Sequence, residues 1–165
     1  TTGLSSEQIA SVNEAAKGTP VFFSANMSLG VNLLIELAKK ATALLQDNFD
    51  IEIIEKHHNQ KIDAPSGTAL MLADSINEAF EGKKHYVGGR EGIVGAREKS
   101  EIGIHAVRGG TIVGDHDVIF AGQDEVITFS HRAYSRAVFG KGAVEAAKFL
   151  AGREAGFYTM SDVLS

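Results

Sequence analysis

One stretch of this sequence decides the fold: Asp50-Ile51-Glu52-Ile53-Ile54-Glu55-Lys56-His57-His58-Asn59-Gln60-Lys61-Ile62-Asp63-Ala64-Pro65-Ser66-Gly67-Thr68-Ala69. Its isoleucine-rich beginning predicts a strand, and its end opens a helix that apolar spacing extends from Thr68 to Phe80. The crossing between them is mostly polar or ionisable. Loops carried on rigid elements are where proteins place binding and catalytic groups, so this crossing is the candidate site.

The loop contains two side chains that can transfer protons. His57 carries an imidazole and Lys61 an ammonium group. Either kind of group can act as a proton donor or acceptor near neutral pH when burial or neighbouring charges adjust its pKa.

The start of the following helix is suited to an anion. Ser66-Gly67-Thr68 lies on the first turn, where backbone N–H groups have no intrahelical partner and the helix dipole adds positive charge. Gly67 allows close approach to the backbone, and Ser66 and Thr68 add hydroxyl donors. A carboxylate on this turn, beside His58 and Lys61, is the ligand we expect.

Simpler interpretations fit some of these residues. Adjacent histidines are commonly solvated or structural, and Ser66 and Thr68 fit helix caps. Zinc is a third interpretation, but neighbouring strand residues point to opposite faces. The sequence also lacks Cys and has no further His or Glu at a ligand-like spacing. No metal site is therefore predicted.

The same stretch resembles the signature of the 4-hydroxy-tetrahydrodipicolinate reductase family, also called dihydrodipicolinate reductase. The family pattern is Glu-x-His-His-x-x-Lys-x-Asp-x-Pro-Ser-Gly-Thr-Ala, and it runs here from Glu55 to Ala69 without a mismatch. The resemblance implies that His57 and Lys61 are catalytic proton-transfer residues. It further implies that the dicarboxylate substrate is held by His58, Ser66, Gly67 and Thr68.

The chain ahead of this stretch predicts part of a doubly wound nucleotide-binding domain. A helix opening at Ser5 or Ser6, a strand at Pro20–Ala25 and a helix from Val31 to Leu45 follow one another. The resemblance assigns contacts with the nicotinamide half of NADH or NADPH to Thr1, Thr2, Ser24, Ala25, Asn26 and Met27. For residues 24–27, an ordinary strand-to-helix turn is the alternative.

Three further strands are predicted at 101–108, 112–120 and 124–130, with short turns that favour antiparallel neighbours. Their histidines, His105, His116 and His131, are predicted to be structural. The segment 82–97 is predicted as a mobile loop, and Gly140-Lys141-Gly142 as a break within the last helical segment, 135–150. An open apolar sheet face would bind a second subunit, and the resemblance implies a homotetramer built through this sheet.

The predicted fold class is therefore α/β (α+β). It comprises a mixed, largely antiparallel sheet covered by helices on one face, plus remnants of a Rossmann-like doubly wound domain. The predicted domains are residues 1–28, a nucleotide-binding remnant; 29–137, a substrate-binding and oligomerisation domain; and 138–165, a return to the nucleotide-binding domain.

Composition excludes several other classes of protein. The 165 residues contain no Cys, 44% are hydrophobic, and the formal net charge is −5. There is no disulfide framework, and no apolar run approaches the length of a membrane span. A negative charge without a basic cluster argues against nucleic acid as a partner. Together with the resemblance, these features predict a cytoplasmic enzyme.

The predicted function is reduction of 4-hydroxy-tetrahydrodipicolinate with NADH or NADPH in lysine (diaminopimelate) biosynthesis. The glycine-rich G-x-G-x-x-G turn with which the family begins is not in this sequence, so the chain is interpreted as a truncated form that is inactive alone. Two alternatives stay open. One is a non-catalytic assembly domain that binds a dicarboxylate, and the other is a different two-domain NAD(P)-dependent dehydrogenase of amino-acid biosynthesis.

Overall fold

A computed structural model gives the arrangement of residues 3–164, except for the side chain of Asp47. Thr1 and Thr2, predicted to contact the cofactor, lie outside the described residues. The helices and strands follow one another in this order: α1 (Ser6–Ala15), β1 (Pro20–Phe22), α2 (Leu29–Leu45), a 3₁₀ turn (Gln46–Asn48), β2 (Asp50–His57), α3 (Gly67–Glu78), β3 (His85–Val87), β4 (Glu101–Arg108), β5 (Gly114–Ala121), β6 (Val126–Ala133), α4 (Ala137–Leu150), β7 (Gly156–Tyr158) and α5 (Met160–Leu164).

The chain forms two compact units, one from both of its ends and one from residues Leu34–Ser135. In the first unit, β1 pairs in parallel with β7, joining residues from the two ends of the sequence. Helix α1 begins with a capping box at Ser5, in which the Ser5 side chain accepts from the Gln8 N–H. The assignment of this unit to nucleotide binding remains a prediction.

The second unit contains a five-stranded mixed sheet in the order β3-β4-β2-β5-β6. Strand β2 is parallel to β4 and antiparallel to β5, and β5 is antiparallel to β6. The predicted mixed α/β class is confirmed. The expected pairing of the 101–108 and 112–120 strands is wrong, because β2 lies between them. The Gly109 N–H donates to the His57 carbonyl at 2.9 Å, so the connection crosses the end of β2.

One face of this sheet forms the core. Its buried residues alternate along the strands and meet the apolar side of α3: Ile51, Ile53, Ile102, Ile104, Val118, Phe120, Leu72, Ala73 and Ile76. Burying one such aliphatic side chain contributes roughly 1.5–3 kcal/mol. Because side chains alternate in a strand, Glu55 belongs to the same core-facing set as Ile51 and Ile53.

The opposite face is charged rather than simply apolar. Lys56 Nζ lies 2.8 Å from an oxygen of Asp117, and His105 Nε2 lies 2.6 Å from an oxygen of Glu52. Val107 on β4 and Val126 on β6 are also exposed. This face therefore combines ion pairs with exposed valines.

The segment 82–97 contains a strand and contacts the sheet, so it is not wholly a loop, and its predicted mobility stays a prediction. It contains β3, which pairs in parallel with β4. Farther along, the Arg97 Nε donates to Glu52 at 2.8 Å, and Arg90 donates to both oxygens of Glu52 at 3.1 and 3.0 Å. These arginines hold the segment across the charged face of the sheet.

Helix α4 continues through Gly140 and Gly142, so the predicted helix break is wrong. A Cβ built on Gly142 would lie 1.6 Å from the Met27 carbonyl oxygen, whereas one built on Gly140 would meet nothing within 4 Å. Gly142 is therefore required for a close approach between α4 and the turn before α2.

Candidate functional site

The site residues of the second unit lie where β2 ends and α3 begins. Ser66 is the N-cap of α3, and its Oγ accepts from the Ala69 N–H at 3.1 Å. Ser66 is buried while Gly67 is exposed, and a Cβ built on Gly67 would meet nothing within 4 Å. The first turn of α3 thus presents backbone to open space, as an anion-binding turn requires.

Beneath this turn lies a buried carboxylate. Glu55 has no solvent exposure, and Arg108 donates to its two oxygens at 2.7 Å each. The Ser66 N–H donates at 2.9 Å, and His57 Nδ1 lies at 2.6 Å. Burial alone would raise the pKa of Glu55, but the hydrogen bonds from Arg108, His57 and Ser66 outweigh it and keep the pKa below its ordinary value.

His116 completes this buried cluster. Its Nε2 lies 3.1 Å from the Ser66 Oγ, and its ring meets that of His57 edge-on with centroids 5.3 Å apart. Burial, with the neighbouring His57 second, lowers the pKa of His116 to about 4. His116 is therefore neutral at pH 7, and its orientation toward Ser66 places it in the site.

Lys61 lies farther along the loop, where most of its side chain is covered and its partner Asp63 is exposed. Its Nζ is 2.7 Å from an oxygen of Asp63, and 19% of its side chain is exposed. The hydrogen bond from Lys61 lowers the pKa of Asp63. Arg108 also reaches this segment, donating to the Asp63 carbonyl at 2.7 Å, so the loop is tied to the buried cluster by one guanidinium.

The structure thus gathers the predicted residues at one end of β2, although their roles remain predictions. Thr68 interacts with the surrounding chain on the first turn of α3, and His58 is half-buried beside His57. Sequence reasoning missed Arg108 and interpreted His116 only as structural. The sequence did contain a signal for a partner such as Arg108. Glu55 faces the core on the same side of the strand as Ile51 and Ile53, and a buried acidic residue requires a partner.

The turn at residues 24–27 belongs to the other unit and is held by its own hydrogen bonds. The Ser24 Oγ donates to the Asn26 carbonyl at 2.7 Å, and the Ser28 N–H donates to the Asn26 side chain at 2.9 Å. These bonds fix the shape of the turn, and its predicted contact with the nicotinamide half of a cofactor stays a prediction.

Residues 3–164 contain no group of three or more His, Asp or Glu side chains arranged to hold a metal ion. No helix in this part of the chain is long and apolar enough to cross a membrane. A cavity of about 610 Å³ lies at the opposite end of α3, beside Phe80 and Lys84, away from the cluster described above.

Comparison with known proteins identifies consistent relatives. The family described as "Dihydrodipicolinate reductase, C-terminus" matches residues 30–164. The 4-hydroxy-tetrahydrodipicolinate reductase of Caldanaerobacter subterraneus subsp. tengcongensis is 62% identical over 164 residues, which cover 99% of this chain and 65% of that protein. The reductase of the same name from Aquifex aeolicus is 54% identical and is covered to 62%.

A solved structure agrees with these relatives. It is a dipicolinate-bound dihydrodipicolinate reductase from Paenisporosarcina sp. TG-14, matched with a TM-score of 0.76 and 29% identity over 96% of this chain and 60% of that one. The chain spans less than two thirds of the length of the curated relatives named above, at 65% and 62%.

Proposed function

Because the chain belongs to the dihydrodipicolinate reductase family, we propose that it is the dicarboxylate-binding part of a 4-hydroxy-tetrahydrodipicolinate reductase of lysine biosynthesis. The observation that carries this proposal is the exposed Gly67 on the first turn of α3, a turn that is joined to His57 through Glu55 and follows Lys61 on the same loop. An anion-binding helix start on the same loop as two groups capable of proton transfer suits reduction of a dicarboxylate ring.

The proposed roles divide between binding and proton transfer. The backbone of Gly67 and Thr68, the hydroxyls of Ser66 and Thr68, and the side chain of His58 hold the substrate carboxylates. His57 and Lys61 transfer the proton. The ammonium group of Lys61 is paired with Asp63 on a partly exposed loop, where an ion pair contributes only about 0–1 kcal/mol. A substrate carboxylate can therefore replace Asp63 as the partner of Lys61 at little cost in free energy.

We propose NADH or NADPH as the cofactor, whose nicotinamide supplies hydride when bound. In this chain, Thr1, Thr2 and residues 24–27 would contact the nicotinamide half. Residues 1–28 and 138–165 would belong to the nucleotide-binding domain, and 29–137 to the substrate-binding and oligomerising domain. Residues 1–165 alone would bind the dicarboxylate without turnover, because they lack the phosphate turn.

We also propose a cytoplasmic homotetramer assembled through the five-stranded sheet. The support is the face carrying Lys56 and Asp117, which lies opposite α3 and combines an ion pair with exposed valines on β4 and β6. Sedimentation of the full-length protein tests the stoichiometry.

The test of function is NAD(P)H oxidation by the full-length protein with 4-hydroxy-tetrahydrodipicolinate. We expect turnover with this substrate, and a loss of at least about 100-fold when His57→Ala and Lys61→Ala are combined, since acid–base groups contribute roughly 10²–10⁴-fold. Undiminished turnover in the double variant would remove both residues from the mechanism.

Calorimetry with pyridine-2,6-dicarboxylate, a planar mimic of the substrate, separates the alternatives. Binding that is weakened by Thr68→Val supports the helix-start site. Binding without turnover by the full-length protein with any substrate would favour a non-catalytic assembly domain. Turnover of a different substrate in a panel would favour another dehydrogenase of amino-acid biosynthesis.

A further inference from the structure

Glu55 is a charged residue in a position built for an apolar one. It follows Ile51 and Ile53 on the core-facing side of β2, and its side chain has no solvent exposure. Moving a carboxylate from water into a protein interior costs several kcal/mol unless partners compensate for it. Packing alone therefore does not account for a glutamate here.

Both oxygens of this carboxylate are fully used. Oε1 accepts from Arg108 at 2.7 Å and from the Ser66 N–H at 2.9 Å. Oε2 accepts from Arg108 at 2.7 Å and lies 2.6 Å from His57 Nδ1. A carboxylate held ionised by these donors has no proton to give, so in the contact with His57 the hydrogen must reside on Nδ1.

That assignment fixes which atom of His57 is available for chemistry. With Nδ1 protonated and bonded to Glu55, the lone pair of the neutral ring is on Nε2. Nε2 makes no hydrogen bond among the described residues, and it lies 3.0 Å from the position that a Cβ on Gly114 would occupy. Glycine at position 114 leaves room around this atom.

We propose that Glu55 and Arg108 are positioning residues that hold His57 in its Nδ1–H tautomer and tie it to the first turn of α3. This inference rests on the proposed function. The Glu55 carboxylate is hydrogen-bonded to both His57 and the Ser66 N–H. The imidazole proposed for proton transfer and the turn proposed for anion binding are therefore held by the same buried group. Arg108 balances its charge and, through the Asp63 carbonyl, also holds the loop that carries Lys61.

A purely structural ion pair would behave differently. Breaking a buried pair by removing one partner is destabilising, whereas removing both charges is often tolerated. The double variant Glu55→Gln with Arg108→Met should therefore recover the stability that is lost when only one partner of the pair is replaced. It does not restore positioning, because an amide group can present either its oxygen or its NH₂ to His57 and so no longer selects one tautomer.

The experiment measures the ¹⁵N chemical shifts of the His57 ring in full-length reductase labelled at histidine, with the signal assigned by its loss in His57→Ala. We expect the wild type to show one tautomer with Nδ1 protonated. Glu55→Gln, and the double variant with Arg108→Met, should show a mixture or the opposite tautomer. Their kcat should fall at least about tenfold, because an acid–base group in the wrong tautomer forfeits part of its roughly 10²–10⁴-fold contribution.

Glu52→Gln is the matched control. Glu52 lies on the same strand and also joins a histidine to arginines, but on the opposite face, with His105 Nε2 at 2.6 Å and Arg97 Nε at 2.8 Å. It should leave the His57 signals unchanged. If Glu55→Gln does not fold, the double variant provides the same comparison.

Wild-type ring shifts and wild-type kcat in the folded double variant would overturn the proposal. This failure is distinguishable from failure of the proposed function. If the wild-type protein reduces no substrate, the function is wrong, yet the ring shifts still report whether Glu55 fixes the tautomer.

Discussion

The Oγ of Ser66 lies 3.1 Å from Nε2 of His116, so the residue that caps α3 is also joined to the neighbouring strand β5. His116 is almost completely buried, and its Nδ1 has no hydrogen-bond partner among the described residues. A buried imidazole with one unpaired nitrogen is poorly suited to carry charge. The helix start that we propose as an anion site therefore depends on a histidine that must stay neutral.

The first prediction concerns the pH dependence of stability. An unfolded histidine titrates near a pKa of about 6.5, whereas burial and His57 lower the pKa of His116 to about 4 in the folded protein. Between these values the unfolded chain binds more protons than the folded one. The free energy of unfolding should therefore fall as the pH drops from 6.5 to 4, by about 3 kcal/mol from this residue.

Urea unfolding at pH 4, 5, 6 and 7 measures this effect, and His116→Gln is its comparison. The variant retains a side-chain donor but cannot titrate, so its unfolding free energy should change less over this range. Some slope should persist, because burial also lowers the pKa of His131. Equal slopes in wild type and variant would contradict the prediction.

The second prediction concerns anion binding at Lys61. Lys61→Ala should raise the Kd for pyridine-2,6-dicarboxylate about tenfold or more, since hydrogen bonds to charged groups contribute about 1.5–3 kcal/mol. Calorimetry measures the change. Lys56→Ala is the control, because its ammonium group pairs with Asp117 on the opposite face of the sheet, and we expect no more than about a twofold effect. If both variants lose the same affinity for pyridine-2,6-dicarboxylate, Lys61 contributes only through the overall charge of the protein.

The third prediction uses the two glycines of α4. Gly142→Ala places a methyl group against the Met27 carbonyl oxygen and should lower the free energy of unfolding by about 1–3 kcal/mol, as overpacking does. Gly140→Ala meets nothing within 4 Å on an exposed part of the same helix, and should stabilise by up to about 1 kcal/mol. Thermal or urea unfolding compares them. A stabilising Gly142→Ala would mean that this close approach is absent.

The fourth prediction concerns residues 88–100, the connection between β3 and β4 that includes Arg97 and Lys99. Arg97 donates to Glu52, Asp50 and the backbone carbonyls of Ile51 and Glu101. Arg97→Ala removes all of these bonds, so amide hydrogen exchange in the segment should accelerate about tenfold or more if they stabilise its closed state by more than about 1.4 kcal/mol. Lys99→Ala in the same segment, whose side chain makes no ion pair among the described residues, should leave exchange unchanged. If amide hydrogen exchange stays slow in Arg97→Ala, contacts other than those of Arg97 hold these residues in place.

Local chemistry explains what could be predicted from the sequence. The Ser66 cap, the strand leading to His57 and the helix after Gly67 follow from residue types and spacing within a few positions. The failures have a common cause. Gly140 and Gly142 predict a helix break by propensity, but the contact of Gly142 with Met27 overrides that weak preference. The composition of the segment 82–97 predicts a loop without regular structure, but β3 pairs there with β4, and Arg90 and Arg97 bind Glu52 on another strand.

By itself the sequence placed the candidate groups together, because the imidazoles, the ammonium group and the helix start are consecutive along one loop. Only the tertiary structure decided how those groups are supported. Arg108 is 53 positions from Glu55, and His116 is 50 positions from Ser66. They meet because β2 lies between β4 and β5 in a defined register. Strand order depends on which buried faces pack together across the whole unit. The spacing of residues along the sequence therefore does not predict it.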